Sequence, residues 1–242
     1  MASPANLLKS TVFPSLLFFF LSNAVLASNF EIAPVVLELS DSRPAGAIRF
    51  VNKDDHEVSL QVRGNEWIQA NGDDVLTPTN AGLLVSPPIF TLAPGAAQTI
   101  RVVSRLKGVS AETAFRLFID EIPAATKEPA INFKFRISMP IFVEPEAKSN
   151  VAMTWRAAIS SQALQLTLTN SGNRRVKLLN FTAILPSGKK LAPLVQPNSY
   201  TLVGSSRTIR FTPDAELKPG TTVRISAMSD LGPYESSVIV SP

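Results

Sequence analysis

The chain has 242 residues, a formal net charge of +4 and no cysteine. The lack of cysteine excludes disulfides, thiol catalysis and cysteine metal sites, and a single histidine argues against a zinc site. The modest positive charge is not that of a dedicated nucleic-acid-binding protein, and it suits an anionic partner such as the C-terminal carboxylate of another protein.

The first 27 residues have the pattern of a secretory signal peptide. Lys9 precedes an apolar run over residues 12–20, and Val25 and Ala27 stand where the small residues of a cleavage site are expected. A membrane anchor is the alternative, but the run is shorter than the roughly 20 residues that span a bilayer. We therefore expect the mature chain to be exported and not embedded in a membrane.

Alternation of apolar and polar residues runs along most of the chain. It is clearest over residues 58–63, 115–119 and 164–169, and turn residues such as Pro94-Gly95 separate the alternating segments. Short alternating segments with regularly spaced turns are typical of β-sandwiches. In the second half, we predict strands over residues 151–157, 163–170, 176–185, 207–212, 222–227 and 236–240. The pattern predicts an all-β protein.

Residues 144–150 interrupt the alternation and predict a short linker, because they combine Pro145 with charged and small polar residues. We predict one domain over residues 28–145 and a second over residues 146–242, each of a size usual for a single sandwich. A short linker holds two sandwiches at a nearly fixed angle and leaves a cleft between them. The sequence itself shows no internal repeat.

Residues 131–143 carry a long apolar face in a single extended segment. Since successive side chains of a strand point to opposite faces, the odd-numbered residues line up over about 40 Å. These residues are Ile131, Phe133, Phe135, Ile137, Met139, Ile141 and Val143. Such a face fits either a core strand or a strand that another protein pairs with. Lys134, Arg136 and Pro140 on the opposite face favour an edge strand beside the cleft.

Several motifs, in the right order, resemble those of PapD-like periplasmic pilus chaperones. Residues 86–102, SPPIFTLAPGAAQTIRV, resemble the family's PP-x-F-x-L-x-PG stretch and the strand after it. Residues 115–123, FRLFIDEIP, resemble the strand that ends in E-(I/V)-P, and residues 133–145 resemble the long strand that follows. Asn65-Glu66-Trp67 resembles the aromatic end of an earlier strand. The match covers most of residues 30–145, whereas the second half matches only in length and strand character.

The resemblance implies two immunoglobulin-like β-sandwich domains set in an L with a cleft between them. It implies a periplasmic chaperone that lends a strand to pilus or fimbrial subunits and delivers them to an outer-membrane usher. No cofactor is implied, and the free chaperone can shield its strand by self-association. The donor residues that we predict are Ile131, Phe133, Phe135, Ile137 and Met139.

The resemblance also implies a basic anchor for the subunit's C-terminal carboxylate. The positions used by the best-known branch of the family are Val36 and Ser138 here, and neither can neutralise a carboxylate. We predict Arg101 and Arg116 instead, since the archaic branch uses arginines in this region and an arginine fork holds a carboxylate with two hydrogen bonds. A solvated sheet face is the alternative location for each arginine. Two further arginines are less favoured candidates, Arg43 and Arg136.

No catalytic constellation accompanies these features. Asp120 and Glu121 are adjacent in a strand and point to opposite faces, and His56 lies in a polar turn. The residues from Asn71 to Asp74 predict a hairpin turn, since they lack calcium-loop spacing. We therefore expect a binding protein and not an enzyme. The alternative is a secreted structural pilus subunit or adhesin, which should carry a free donor peptide and an incomplete last domain, whereas residues 30–39 and 236–240 both look like strands.

Overall fold

A computed structural model describes residues 29–123, 134–161, 163–198 and 200–241. These residues form eighteen strands. The first ten are β1 (Phe30–Ala33), β2 (Leu37–Leu39), β3 (Ala45–Asn52), β4 (Val58–Ala70), β5 (Asp73–Pro78), β6 (Leu83–Ser86), β7 (Ile89–Leu92), β8 (Ala97–Ser104), β9 (Thr113–Ile122) and β10 (Arg136–Val143). The others are β11 (Met153–Ser160), β12 (Ala163–Asn170), β13 (Val176–Ile184), β14 (Lys190–Leu191), β15 (Tyr200–Thr201), β16 (Ser206–Pro213), β17 (Thr222–Ser229) and β18 (Gly232–Ile239).

The first ten strands form two sheets around one core. One sheet has the order β1-β3-β8-β6, and the other has the order β2-β10-β9-β4-β5, with β7 also paired to β4. Inward-facing residues of both sheets, including Ile48, Leu60, Ile100 and Leu117, are fully buried between them. Each such side chain contributes about 1.5–3 kcal/mol on burial, which makes this core the main source of the domain's stability.

The last eight strands form a second sandwich with a separate core. Its sheets have the orders β11-β12-β16 and β14-β13-β17-β18, with β15 paired to β13. Phe181, Phe211 and Val223 are fully buried in this core. Two immunoglobulin-like β-sandwiches were predicted, and the prediction is confirmed. None of the described residues belongs to a helix of the length and apolarity needed to cross a membrane.

The turn between β4 and β5 shows how local sequence sets this fold. Asn71 and Gly72 connect the two strands, and both have positive φ angles, 55° and 89°. A two-residue hairpin turn of this kind needs positive φ at both positions, which asparagine and glycine tolerate best. The predicted hairpin turn is therefore confirmed.

Each domain has a corner built around one buried asparagine. Asn52 is fully buried, and its side-chain amide donates hydrogen bonds to the carbonyls of His56 and Leu92. Asn170 is also fully buried and donates in the same way to the carbonyls of Arg174 and Thr201. In both domains the asparagine ends a strand and ties a turn to a neighbouring segment. The two sandwiches thus use the same device at one corner, although the sequence shows no repeat.

Candidate functional site

Strand β10 has a free edge over its first half. All of β10 pairs antiparallel with β9 on one side, but on its other side only Ile141–Val143 pair, in parallel, with Leu37–Leu39 of β2. Within the described part of the chain, Arg136–Pro140 therefore have no strand beside them on that second side. An unpaired strand edge presents amide and carbonyl groups with which another chain can pair.

Alternate residues of β10 face this free edge. The carbonyl of Phe135, just before the strand, accepts a hydrogen bond from the amide of Glu121. The direction of hydrogen bonding alternates along an antiparallel strand. The backbone N–H and C=O groups of odd-numbered residues of β10 therefore point to β9, and those of even-numbered residues point to the free edge. The residues whose backbone groups point to the free edge are Arg136, Ser138 and Pro140. Proline has no amide hydrogen, so only the first two offer donors to a partner.

The predicted donor residues differ in burial. Phe135 and Ile137 are half-buried against the domain core, and the Phe135 ring lies 4.3 Å from that of Phe30, measured between centroids. Met139 is only 2% exposed and packs inside the domain's own core, which leaves little of its surface for a partner. Ile131 and Phe133 lie outside the described residues. The accessible apolar surface of β10 is therefore at the beginning of the strand.

The even-numbered residues of β10 belong to an outer sheet face that continues across β9 and β4. The register places Arg136 beside Asp120 and Gln61, Ser138 beside Phe118 and Arg63, Pro140 beside Arg116 and Asn65, and Phe142 beside Ala114. We call these residues the outer face. One of its ends is covered by the second domain, and the other is open.

An aromatic cluster forms the covered end of the outer face. Trp67 and Phe142 of the first domain are almost completely buried together with Leu202 of the second domain. Tyr200, also of the second domain, packs against them. The side chain of Gln69 adds hydrogen bonds of 2.9 Å to the carbonyl of Tyr200 and the amide of Leu202. The two sandwiches therefore meet through a packed interface as well as through the linker.

Arg175 of the second domain binds β2 and the residue just before β9 in the first domain. Its guanidinium bonds to the carboxylates of Glu112 and Glu38 and lies 3.6 Å from the centroid of the Phe142 ring. The side chains of Arg175 and Glu112 are only 4% and 1% exposed. Burial raises the pKa of Glu112, while the charge of Arg175 acts against that rise. For Arg175, burial favours a lower pKa, but the two carboxylates outweigh it and raise the pKa. This ion triad links the two domains.

Arg116 lies on the outer face next to the interface. Its guanidinium carbon stacks 3.7 Å from the centroid of the Trp67 ring, and it forms no ion pair with a carboxylate in the described part of the chain. Burial lowers the pKa of Arg116, while Asp74 and Tyr200 act in the opposite direction. Arginine still stays protonated at neutral pH, so the residue places a positive charge at the cleft.

A basic cluster of Arg63, Arg136 and Asp120 lies at the open end of the outer face, and we call it the open-end cluster. Arg136 and Arg63 both bond to the carboxylate of Asp120, and the Arg136 guanidinium lies 4.9 Å from the centroid of the Phe118 ring. Burial disfavours the charged form of Asp120, but the two arginines outweigh this effect and lower its pKa. With one carboxylate between two guanidinium groups, the cluster keeps a net positive charge.

The structure does not bring the predicted anchors together. Arg101 lies between two core residues of β8, Ile100 and Val102, so its exposed side chain points away from the core on the sheet opposite to that of Arg116. The two arginines are therefore on opposite faces of the sandwich and cannot hold one carboxylate jointly. Arg43 borders an open cavity of about 600 Å³ between the domains, together with residues such as Val36 and Tyr200.

Sequence reasoning missed the residues that join the domains. Arg175, Glu112 and Glu38 come from three distant segments. Arg175 follows a run of polar residues, whereas Glu38 lies between Leu37 and Leu39, where alternation alone suggests a solvated position. The sequence pattern places Trp67 at the end of a strand, whereas β4 continues to Ala70. Nothing local indicates that Trp67 supports Arg116. A charged pair at a domain interface leaves no local pattern in a single sequence.

Comparison with known proteins agrees with this geometry. Residues 29–149 match the family model described as "Pili and flagellar-assembly chaperone, PapD N-terminal domain". The chain belongs to this chaperone family. A search of curated protein sequences finds no match. The expected resemblance is therefore confirmed for the N-terminal half.

Solved structures of pilus chaperones share the whole two-domain fold. A chain of the CsuC–CsuE chaperone–tip adhesin pre-assembly complex from the archaic chaperone–usher Csu pili of Acinetobacter baumannii is similar, with 17% identity and a TM-score of 0.66 over 88% of this chain and 99% of that chain. A chain of the Salmonella enterica SafA pilin–SafB chaperone complex has 15% identity and a TM-score of 0.59, over 89% of this chain and 98% of that chain. The E. coli chaperone DraB has 16% identity and a TM-score of 0.60, over 88% of this chain and 97% of that chain.

Proposed function

We propose that this chaperone captures pilus subunits in the periplasm by pairing their last strand with the free edge of β10 and delivers them to an outer-membrane usher. The observation that carries the proposal is the free edge over Arg136–Pro140, which leads into the interface between the domains. Chaperone–pilin donor-strand complementation is a known form of strand addition. Main-chain hydrogen bonds give affinity, and alternate side chains of the added strand fit into pockets of the partner.

The position of β2 limits where a captured strand ends. A strand on the free edge of β10 lies in line with β2 and meets it at Pro140, since β2 pairs from Ile141 onward. Arg116 is the cross-strand neighbour of Pro140 on the outer face. The end of the captured strand then lies about two strand spacings, roughly 10 Å, from the Arg116 backbone. We therefore assign the subunit's C-terminal carboxylate to Arg116.

The apolar side chains at the start of β10 complete the donor surface. Phe135 and Ile137 retain exposed surface toward the captured subunit, and Ile131 and Phe133 extend the same alternation in the sequence. Burying several such side chains, at about 1.5–3 kcal/mol each, is enough for a stable complex. Met139 supports this surface from inside the chaperone's core.

Two features support our proposal that the protein belongs to the archaic branch of its family. The positions that carry the usual anchors hold Val36 and Ser138, which have no charge, while Arg116 supplies a charge from β9. The archaic Csu complex is also among the similar structures. The family and fold are those of a chaperone, not of an enzyme, and they weigh against a structural subunit or adhesin.

A proline at position 138 tests whether the free edge binds the subunit. In the Ser138→Pro variant, the lost amide faces outward, so the β9–β10 pairing keeps its hydrogen bonds while the edge loses a donor and gains a ring that obstructs pairing. We expect capture to weaken at least about tenfold, and the melting temperature to change little. The measurement is co-purification of the tagged chaperone with the secreted products of neighbouring genes.

The Ser138→Ala variant is the matched control, because it removes the same side chain and keeps the amide. It should capture a subunit as well as the unmodified protein. Equal capture by the Ser138→Pro and Ser138→Ala variants, with both folded, would show that the subunit does not pair with this edge.

A further inference from the structure

The net positive charge of the open-end cluster lies on the strand edge itself. The Arg136 side chain is 57% exposed, and its backbone faces the free edge of β10. Asp120 binds Arg136 and Arg63 at once, so this single carboxylate does not neutralise both. The stacking of Arg136 on Phe118 keeps the guanidinium on the outer face. A charge fixed in this way is suited to contact the side chain of a neighbouring strand.

The proposed function sets which residue of the subunit lies beside Arg136. If the subunit's C-terminal carboxylate reaches Arg116, the captured strand ends beside Pro140 and runs parallel to β10. The residue two positions before its last residue then lies beside Ser138, and the residue four positions before the last lies beside Arg136. The latter points to the outer face, because neighbouring residues of paired strands share a face.

We propose that Arg136 selects subunits that carry an acidic side chain four residues before their C-terminal residue. This inference rests on the proposed function and adds a side-chain contact that is separate from the carboxylate anchor. A neighbouring carboxylate gives Arg136 a partner of its own, so that Asp120 serves mainly Arg63. Opposite charges on adjacent strands stabilise their pairing, and like charges destabilise it. A lysine at the same subunit position is therefore disfavoured.

Short synthetic peptides test the inference without knowledge of the natural subunit. Each peptide is an alternating apolar sequence with a free C-terminal carboxylate, and the series carries Glu, Gln or Lys four residues before the last. A fourth peptide carries Glu two residues before the last, beside Ser138. Binding to the full-length chaperone is measured by fluorescence anisotropy. We expect the first Glu peptide to bind about threefold more tightly than the Gln peptide, and the Lys peptide to bind more weakly.

Substitutions of Arg136 identify the residue responsible. The preference for Glu should disappear in the Arg136→Ser variant and change to a preference for Lys in the Arg136→Glu variant. Arg101→Ser removes one exposed charge from the opposite sheet of the same domain, and it should leave the preference unchanged.

Two results would overturn the inference. The ratio of the dissociation constants of the Glu and Gln peptides could be the same in the unmodified chaperone and in the Arg136→Ser variant. This result would show that Arg136 does not contact this position of the peptide. An equal gain from the fourth peptide would show general charge attraction instead of a positioned contact. If no peptide binds, the proposed function itself fails together with this inference, whereas equal binding of the Glu and Gln peptides removes the inference alone.

Discussion

The Arg116→Met variant is expected to lose subunit capture while it keeps its fold. Methionine fills similar volume and packs well on an aromatic ring, so the contact with Trp67 is largely retained and only the charge is lost. Removing one partner of a desolvated ion pair costs about 2–5 kcal/mol, which corresponds to an affinity loss of at least about thirtyfold. Co-purification and the dissociation constant for a subunit or strand peptide measure the effect.

The Arg101→Met variant provides the matched control for Arg116. It removes the same charge from the opposite face of the sandwich, where a strand on the free edge of β10 is out of reach. We expect it to capture subunits normally. Loss of capture in the Arg101 variant, with capture kept in the Arg116 variant, would move the anchor to the other sheet and refute the assignment made from the outer face.

The Arg175→Met variant is expected to destabilise the protein by about 3–5 kcal/mol, because it leaves a buried carboxylate without its partner. Glu112 is the residue affected, since its side chain is only 1% exposed, whereas Glu38 is partly solvated. The free energy of unfolding is measured by urea denaturation, followed by tryptophan fluorescence in a Trp155→Phe background so that Trp67 at the domain interface is the reporter.

A second substitution separates charge burial from lost packing. The double variant Arg175→Met with Glu112→Gln removes the isolated charge and should recover much of the stability lost in the single variant. A single variant that unfolds within about 1 kcal/mol of the unmodified protein would contradict the role of the triad in joining the domains. No recovery in the double variant would assign the loss to packing on Phe142.

Local sequence predicts the strands well, because burial in a sheet leaves a period of two. Residues 163–170 alternate in the sequence, and β12 spans those residues with alternate side chains buried. Asn71-Gly72 predicted a hairpin turn for a stereochemical reason that no distant contact alters. The long apolar segment was likewise recognised, and its residues from Arg136 to Val143 form β10.

The candidate site is harder to predict, because it depends on which strands become neighbours. Arg101 and Arg116 are equivalent in the local pattern, since each is an outward-facing residue between two buried ones. Only the sheet to which each strand belongs separates them, and strand pairing is a long-range property. The same holds for Met139, whose place in the apolar alternation does not show that the domain's own core covers it.

Residue-resolved hydrogen exchange tests the central claim most directly. In the free chaperone, the amides of Arg136 and Ser138 face an unpaired edge and should exchange rapidly, while those of Ile137 and Met139 are held by β9 and should exchange slowly. In a complex with a captured subunit, we predict that the Arg136 and Ser138 amides become protected as well. If both amides still exchange rapidly in the complex, the subunit does not pair with the free edge of β10, and the proposed mode of capture is wrong.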